Sequence, residues 1–94
     1  MSLVPLSSLN KNESGIIRAI DESTLPFKIY LHPGELETRI LEMGIIEGAR
    51  VEVLHFGLWN KDPIAIRINN NTSIVALRRN EASIIMLEKE KLSS

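Results

Sequence analysis

Apolar and polar residues alternate most cleanly in the second half of the chain. Residues 50–56 run Arg-Val-Glu-Val-Leu-His-Phe, 64–68 run Ile-Ala-Ile-Arg-Ile, 74–78 run Ile-Val-Ala-Leu-Arg and 84–88 run Ile-Ile-Met-Leu-Glu. Successive side chains of a strand point to opposite faces, so each of these segments predicts a strand with at least one face in a core. Residues 14–20 contain Gly15-Ile16-Ile17-Arg18-Ala19-Ile20, which does not alternate; a strand with a bulge, or one buried on both faces, is expected there. Residues 27–31, bounded by Pro26 and Pro33, read as a short edge strand or extended loop.

The period changes between residues 33 and 44. Leu36, Ile40 and Met43 fall at i, i+4 and i+7 on one helical stripe and predict a core-facing helix. Pro33-Gly34-Glu35 opens it, Glu35 and Glu37 suit the positive end of the helix dipole, and Gly44 supplies the stop, giving about three turns. Leu41 lies off the stripe, either under the 21–33 connection or exposed. Residues 57–63 read as one loop, Asn69-Asn70-Asn71-Thr72 as a hairpin turn with positive φ, and residues 80–83 as a 3₁₀ turn. Leu6 and Leu9, three apart, suggest one anchoring turn ahead of the first strand. These elements predict a mainly β fold: a small barrel of five to six short strands with one short inserted helix, whose closure removes its sheet edges. It occupies residues 13–90, after a partly ordered lead-in at 1–12 and before a tail at 91–94.

Length sharpens this picture. A chain of 94 residues builds one core and has few residues left for a deep enclosed pocket, so function is expected on the surface. The net charge of −1 with scattered Lys and Arg gives no electrostatic footprint for nucleic acid. Absence of cysteine excludes disulfides, thiolate zinc sites, iron–sulfur ligation and thiol nucleophiles. No apolar run approaches the ~20 residues of a membrane helix, and the first residues do not form a signal peptide, so a cytoplasmic protein without direct membrane insertion is expected.

The sequence offers little for catalysis. It has no glycine-rich phosphate loop and no serine in a nucleophile elbow, and Glu35 and Glu37 sit on different helix faces, so the chain reads as a non-enzyme without a cofactor. His32 and His55 are the only histidines. A metal site would need them to converge with carboxylates such as Asp62 or Glu52 through folding, and none is expected.

One ordered set of segments is more specific. Arg39-Ile40-Leu41-Glu42-Met43-Gly44-Ile45 leads through Glu47-Gly48 into the strand at residue 50; Asp62-Pro63 precedes the strand at 64; and Ala76-Leu77-Arg78-Arg79-Asn80-Glu81-Ala82 follows. In this order and spacing the chain resembles the FeoA family of ferrous iron transport accessory proteins, over most of residues 39–87 and less specifically at Leu6, Leu9 and Gly15. It departs from the family pattern at Glu47, Lys61 and residues 69–71, and its 21–33 segment is longer. The resemblance implies an SH3-like barrel, related to the C-terminal module of iron-dependent repressors, that assists or regulates the FeoB-type membrane permease. A generic interaction or self-assembly module and a metal-responsive sensor are the alternatives, and weak homo-oligomerisation is compatible with either binding role.

Trp59, beside Leu58 in the expected loop, is the leading partner-binding candidate, because exposed indoles anchor interfaces. Arg78 and Arg79 could add contacts to an acidic surface, or could be a solvated pair beside Glu81. Leu41 completes the set.

Overall fold

The computed structural model describes residues 2–21, 34–69 and 74–90. Among these, six strands form one antiparallel sheet: β1 (Val4–Pro5), β2 (Ser14–Ile20), β3 (Arg50–Trp59), β4 (Asp62–Ile68), β5 (Ile74–Leu77) and β6 (Ile85–Lys89), in the spatial order β1-β6-β2-β3-β4-β5. A 3₁₀ turn (Leu6–Ser8) and two helices, α1 (Glu35–Glu42) and α2 (Arg79–Ser83), are the other elements among the described residues. Among the described residues β1 and β5 are the first and last strands of the sheet order, and no ladder pairs them directly. Instead α2, joining β5 to β6, packs against the Leu6–Ser8 turn.

The alternating segments became strands for the expected reason. Val51 and Val53 on β3 and Ile64, Ile66 and Ile68 on β4 point inward, while Glu52 and Arg67 face out and approach within 3.8 Å across the two strands. The irregular β2 carries a register shift between Ile17 and Ala19 where it pairs with β6. Leu6 and Leu9 are buried, and Val4 pairs with Leu87, so the start of the chain is part of the sheet. A two-residue strand is too short to leave a pattern in the sequence.

Helix α1 buries Leu36 and Ile40, with Met43 packed at the margin of the core. It is shorter than expected, just over two turns, because Gly34 (φ 81°) precedes its first residue and Gly44 (φ 86°) follows its last turn. The Gly44 N–H donates to the Leu41 carbonyl (3.0 Å) and the Ile45 N–H to the Ile40 carbonyl (3.3 Å), with Ile40 and Ile45 both buried. That is the paired hydrogen bonding and apolar contact of a Schellman C-cap. The 80–83 segment is α-helical rather than 3₁₀ and starts one residue earlier. The expected strand at 27–31 and the turn residues 70–72 lie outside the described residues.

Candidate functional site

The largest departure from expectation builds the site. Residues 57–63 are not a loop: β3 continues to Trp59, which pairs with Asp62, so only Asn60 and Lys61 form the turn. Both have positive φ, 53° and 60°. A two-residue turn with both central residues in the left-handed region matches the twist of the flanking strands. Asn tolerates that conformation, but Lys in the second place hides the signal that glycine usually gives. A shift in register between Phe56 and Trp59 marks the base of the tip, and at Gly57 any Cβ would lie 2.6 Å from Pro63 Cδ.

The consequence is an apolar tip held beyond the core. Leu58 is 96% exposed and Trp59 83%. Lys61 folds back so that its ammonium sits 5.6 Å from the centre of the Phe56 ring, within the range of cation–π attraction.

Between this tip and the start of α2 lies a shallow groove of about 440 Å³, lined by Trp59, Asn60, Asp62, Pro63, Arg78 and Arg79. Arg79 builds it. Its backbone N–H donates to Asp62 Oδ1 (3.1 Å), while its guanidinium donates through Nη1 to the Lys61 carbonyl (3.4 Å) and through Nη2 to the Ser7 carbonyl (2.8 Å). One side chain therefore ties the hairpin turn, α2 and the N-terminal turn together. The expectation of a solvated pair beside Glu81 needs correction for Arg79, which is half-buried, whereas the Arg78 side chain is exposed.

Glu81 is itself buried, 3% exposed. Its Oε1 accepts the Arg78 N–H (2.8 Å) at the start of α2, and its Oε2 lies 3.7 Å from Arg39 Nη2. The Arg39 and Glu81 segments, far apart in sequence, meet here. The contact was not expected from the sequence, where its one trace is an acid set between Leu77 and the mostly apolar residues 82–87.

Trp59, Arg78 and Arg79 thus come together. Leu58 projects beside them without lining the groove, and Leu41, 44% exposed on α1, is also not among its lining residues. His55 is exposed on β3, and His32 lies outside the described residues. Among the described residues no group of three or more His, Asp or Glu could hold a metal ion, and no helix is long and apolar enough to cross a membrane.

Comparison with known proteins accounts for the fold. No curated protein matches the chain by sequence. Among solved structures it is similar to a FeoA-like protein from Clostridium acetobutylicum (20% identity, TM-score 0.74, covering 100% of this chain and 94% of that one). It is also similar to FeoA of Stenotrophomonas maltophilia, solved with zinc and described as a prokaryotic SH3 domain protein suggested to activate bacterial ferrous iron transport (21%, TM-score 0.69, 94% and 96%). A manganese-dependent transcriptional repressor contains the same fold in 38% of its length (16%, TM-score 0.72, 96% of this chain). The six-stranded barrel is therefore SH3-like, and since the FeoA domain matches residues 4–89, nearly the whole chain, the protein belongs to the FeoA family.

Proposed function

We propose that this protein is a cytoplasmic accessory factor of ferrous iron uptake that acts by binding the cytoplasmic part of a FeoB-type permease, with no catalytic step of its own. Family membership supplies the transport context. The observation that carries the binding mode is Trp59, left 83% exposed on a hairpin tip beside a groove. Leaving so large an apolar side chain in water is unfavourable unless a partner covers it, and aromatic anchors of this kind contribute ~2 kcal/mol or more to interfaces. Leu58 extends the same surface, Arg78 and Arg79 supply its polar wall, and Leu41 is a separate contact on α1.

Capture of the purified cytoplasmic domain of the permease tests the reading. Trp59→Ala should weaken capture while leaving the thermal melt almost unchanged, since the indole touches little of the core. Loss of folding in Trp59→Ala, or full capture by it, would remove the tip from the contact surface.

A further inference from the structure

The groove has more positive charge than the chain around it. The protein carries a net charge of −1, yet Arg78 and Arg79 line the groove against one acid, Asp62, whose Oδ1 already accepts the Arg79 N–H. Among the described residues, neither arginine forms an ion pair with a carboxylate; the pairs present involve Arg18, Arg39, Arg50, Arg67 and Lys89. The Arg79 guanidinium is held by neutral carbonyls, which fix its position without pairing it with a carboxylate. Arg78 is exposed beside it, and only its backbone N–H is engaged by Glu81.

The opposite wall is apolar, formed by the Trp59 indole and Pro63, also exposed. A concave site with an indole on one side and a free guanidinium on the other complements a chain segment, which can enter a groove as a flat bilayer surface cannot. A guanidinium fork matches a carboxylate in bidentate geometry, and desolvation against an aromatic wall strengthens that pairing.

We infer that the groove receives an extended acidic segment of the protein partner, a carboxylate engaging Arg78 while a neighbouring apolar side chain packs on Trp59. This rests on the partner-binding reading above and adds the chemistry of what is bound. Rigid walls favour it. Arg79 links the hairpin turn to α2 and to Ser7, so the site is formed before the partner arrives and little ordering opposes binding.

Trp59 is the only tryptophan in the chain, so its fluorescence reports directly on the groove. The probes are an end-blocked hexapeptide of alternating Leu and Glu, the same peptide with Gln for Glu, and phosphatidylglycerol vesicles. The Leu–Glu peptide should give a saturable blue shift that weakens with salt, and the Gln peptide and Arg78→Glu should each reduce affinity roughly tenfold or more, as loss of a charge-assisted hydrogen bond does. Arg78→Lys should recover part of it. Equal binding of both peptides, no effect of Arg78→Glu, or a shift produced by vesicles and not by peptide would overturn the inference. Permease capture separates the two readings: capture by wild type and equally by Arg78→Glu defeats the acidic segment alone, whereas peptide binding without permease capture supports it and defeats the proposed partner.

Discussion

Gly44 ends α1 with a φ of 86°, and a Cβ added there would meet nothing within 4 Å. Substitution at this position therefore changes backbone strain with no steric clash to confuse the result. An L residue in the left-handed region costs roughly 1–2 kcal/mol. Replacing glycine also reduces the freedom of the unfolded chain, which offsets about 0.4–1 kcal/mol of that cost. Gly44→Ala should thus destabilise by about 1 kcal/mol. Gly44→Asn should cost only a few tenths, because Asn populates this region most readily after glycine, and Gly44→Val about 2 kcal/mol, because branching at Cβ is least compatible with it.

For a domain of this size about 1 kcal/mol shifts the melting temperature by roughly 4–8 °C. Circular dichroism melts and urea titrations should therefore order the variants Gly > Asn > Ala > Val, with an unchanged urea slope because the surface exposed on unfolding is the same. Gly15 provides the control. Its φ is not in the left-handed region, but a Cβ there would lie 2.6 Å from Leu87 Cδ1 and 2.7 Å from the Glu88 carbonyl oxygen, so Asn should be worse than Ala. If Asn and Val are equally damaging at Gly44, strain at positive φ is not what ends the helix, and the C-cap account fails.

Four further outcomes are expected. Gly57→Ala forces a Cβ to 2.6 Å from both the Asp62 carbonyl carbon and Pro63 Cδ; it should cost ~1–3 kcal/mol and shift Trp59 emission, and an unaltered spectrum and melt would show that the arms of the hairpin part freely. Glu81→Ala leaves the Arg78 N–H without its acceptor and should destabilise by about 1–3 kcal/mol in urea, whereas Glu81→Gln keeps that acceptor and should cost less; equal losses would place the weight on the Arg39 contact. The Lys89 ammonium, and after it the Asn10 N–H, hold the Glu13 carboxyl below its usual pKa, so its contribution is present above the unfolded glutamate range and is lost as acid carries the pH down through the folded value; Glu13→Gln should flatten that part of the acid limb of a urea-midpoint titration, and an unchanged limb would refute the assignment. Elemental analysis after dialysis should find no stoichiometric metal; one retained equivalent per chain, lost on His32→Ala or His55→Ala, would overturn the reading.

Strand positions were legible wherever one face met solvent, as at Val51-Glu52-Val53 and Ile66-Arg67-Ile68, because alternation records a two-sided environment. Leu36, Ile40 and Gly44 likewise declare the helix, its buried face and its stop. The hairpin tip was not legible. Its turn uses Asn60-Lys61 without glycine, and Leu58 and Trp59 are both exposed, so alternation ends before the strand does. Arg79 and Glu81 were seen as basic and acidic residues in a row, but their partners, Ser7 and Lys61 for one and Arg39 for the other, come from segments that only the closed fold brings near. A local pattern cannot carry a contact whose other half is supplied by tertiary packing.

On the proposed binding mode, folding and binding fall on different residues, with one exception. None of Leu58, Trp59 or Arg78 belongs to the buried core, which is built from Leu6, Ile17, the inward faces of β3 and β4, α1 and the 82–87 run. Substitutions of exposed side chains outside the core usually change stability little, so changes at those three positions should alter the proposed binding with little effect on unfolding. Arg79 cannot behave this way. Its guanidinium joins the Lys61 and Ser7 carbonyls while lining the groove, so Arg79→Ala would loosen the wall that positions Trp59 and leave two carbonyls to find other donors. On the proposed binding mode, stability and binding would meet at this one side chain, and a binding defect in an Arg79 variant is interpretable only beside its unfolding curve.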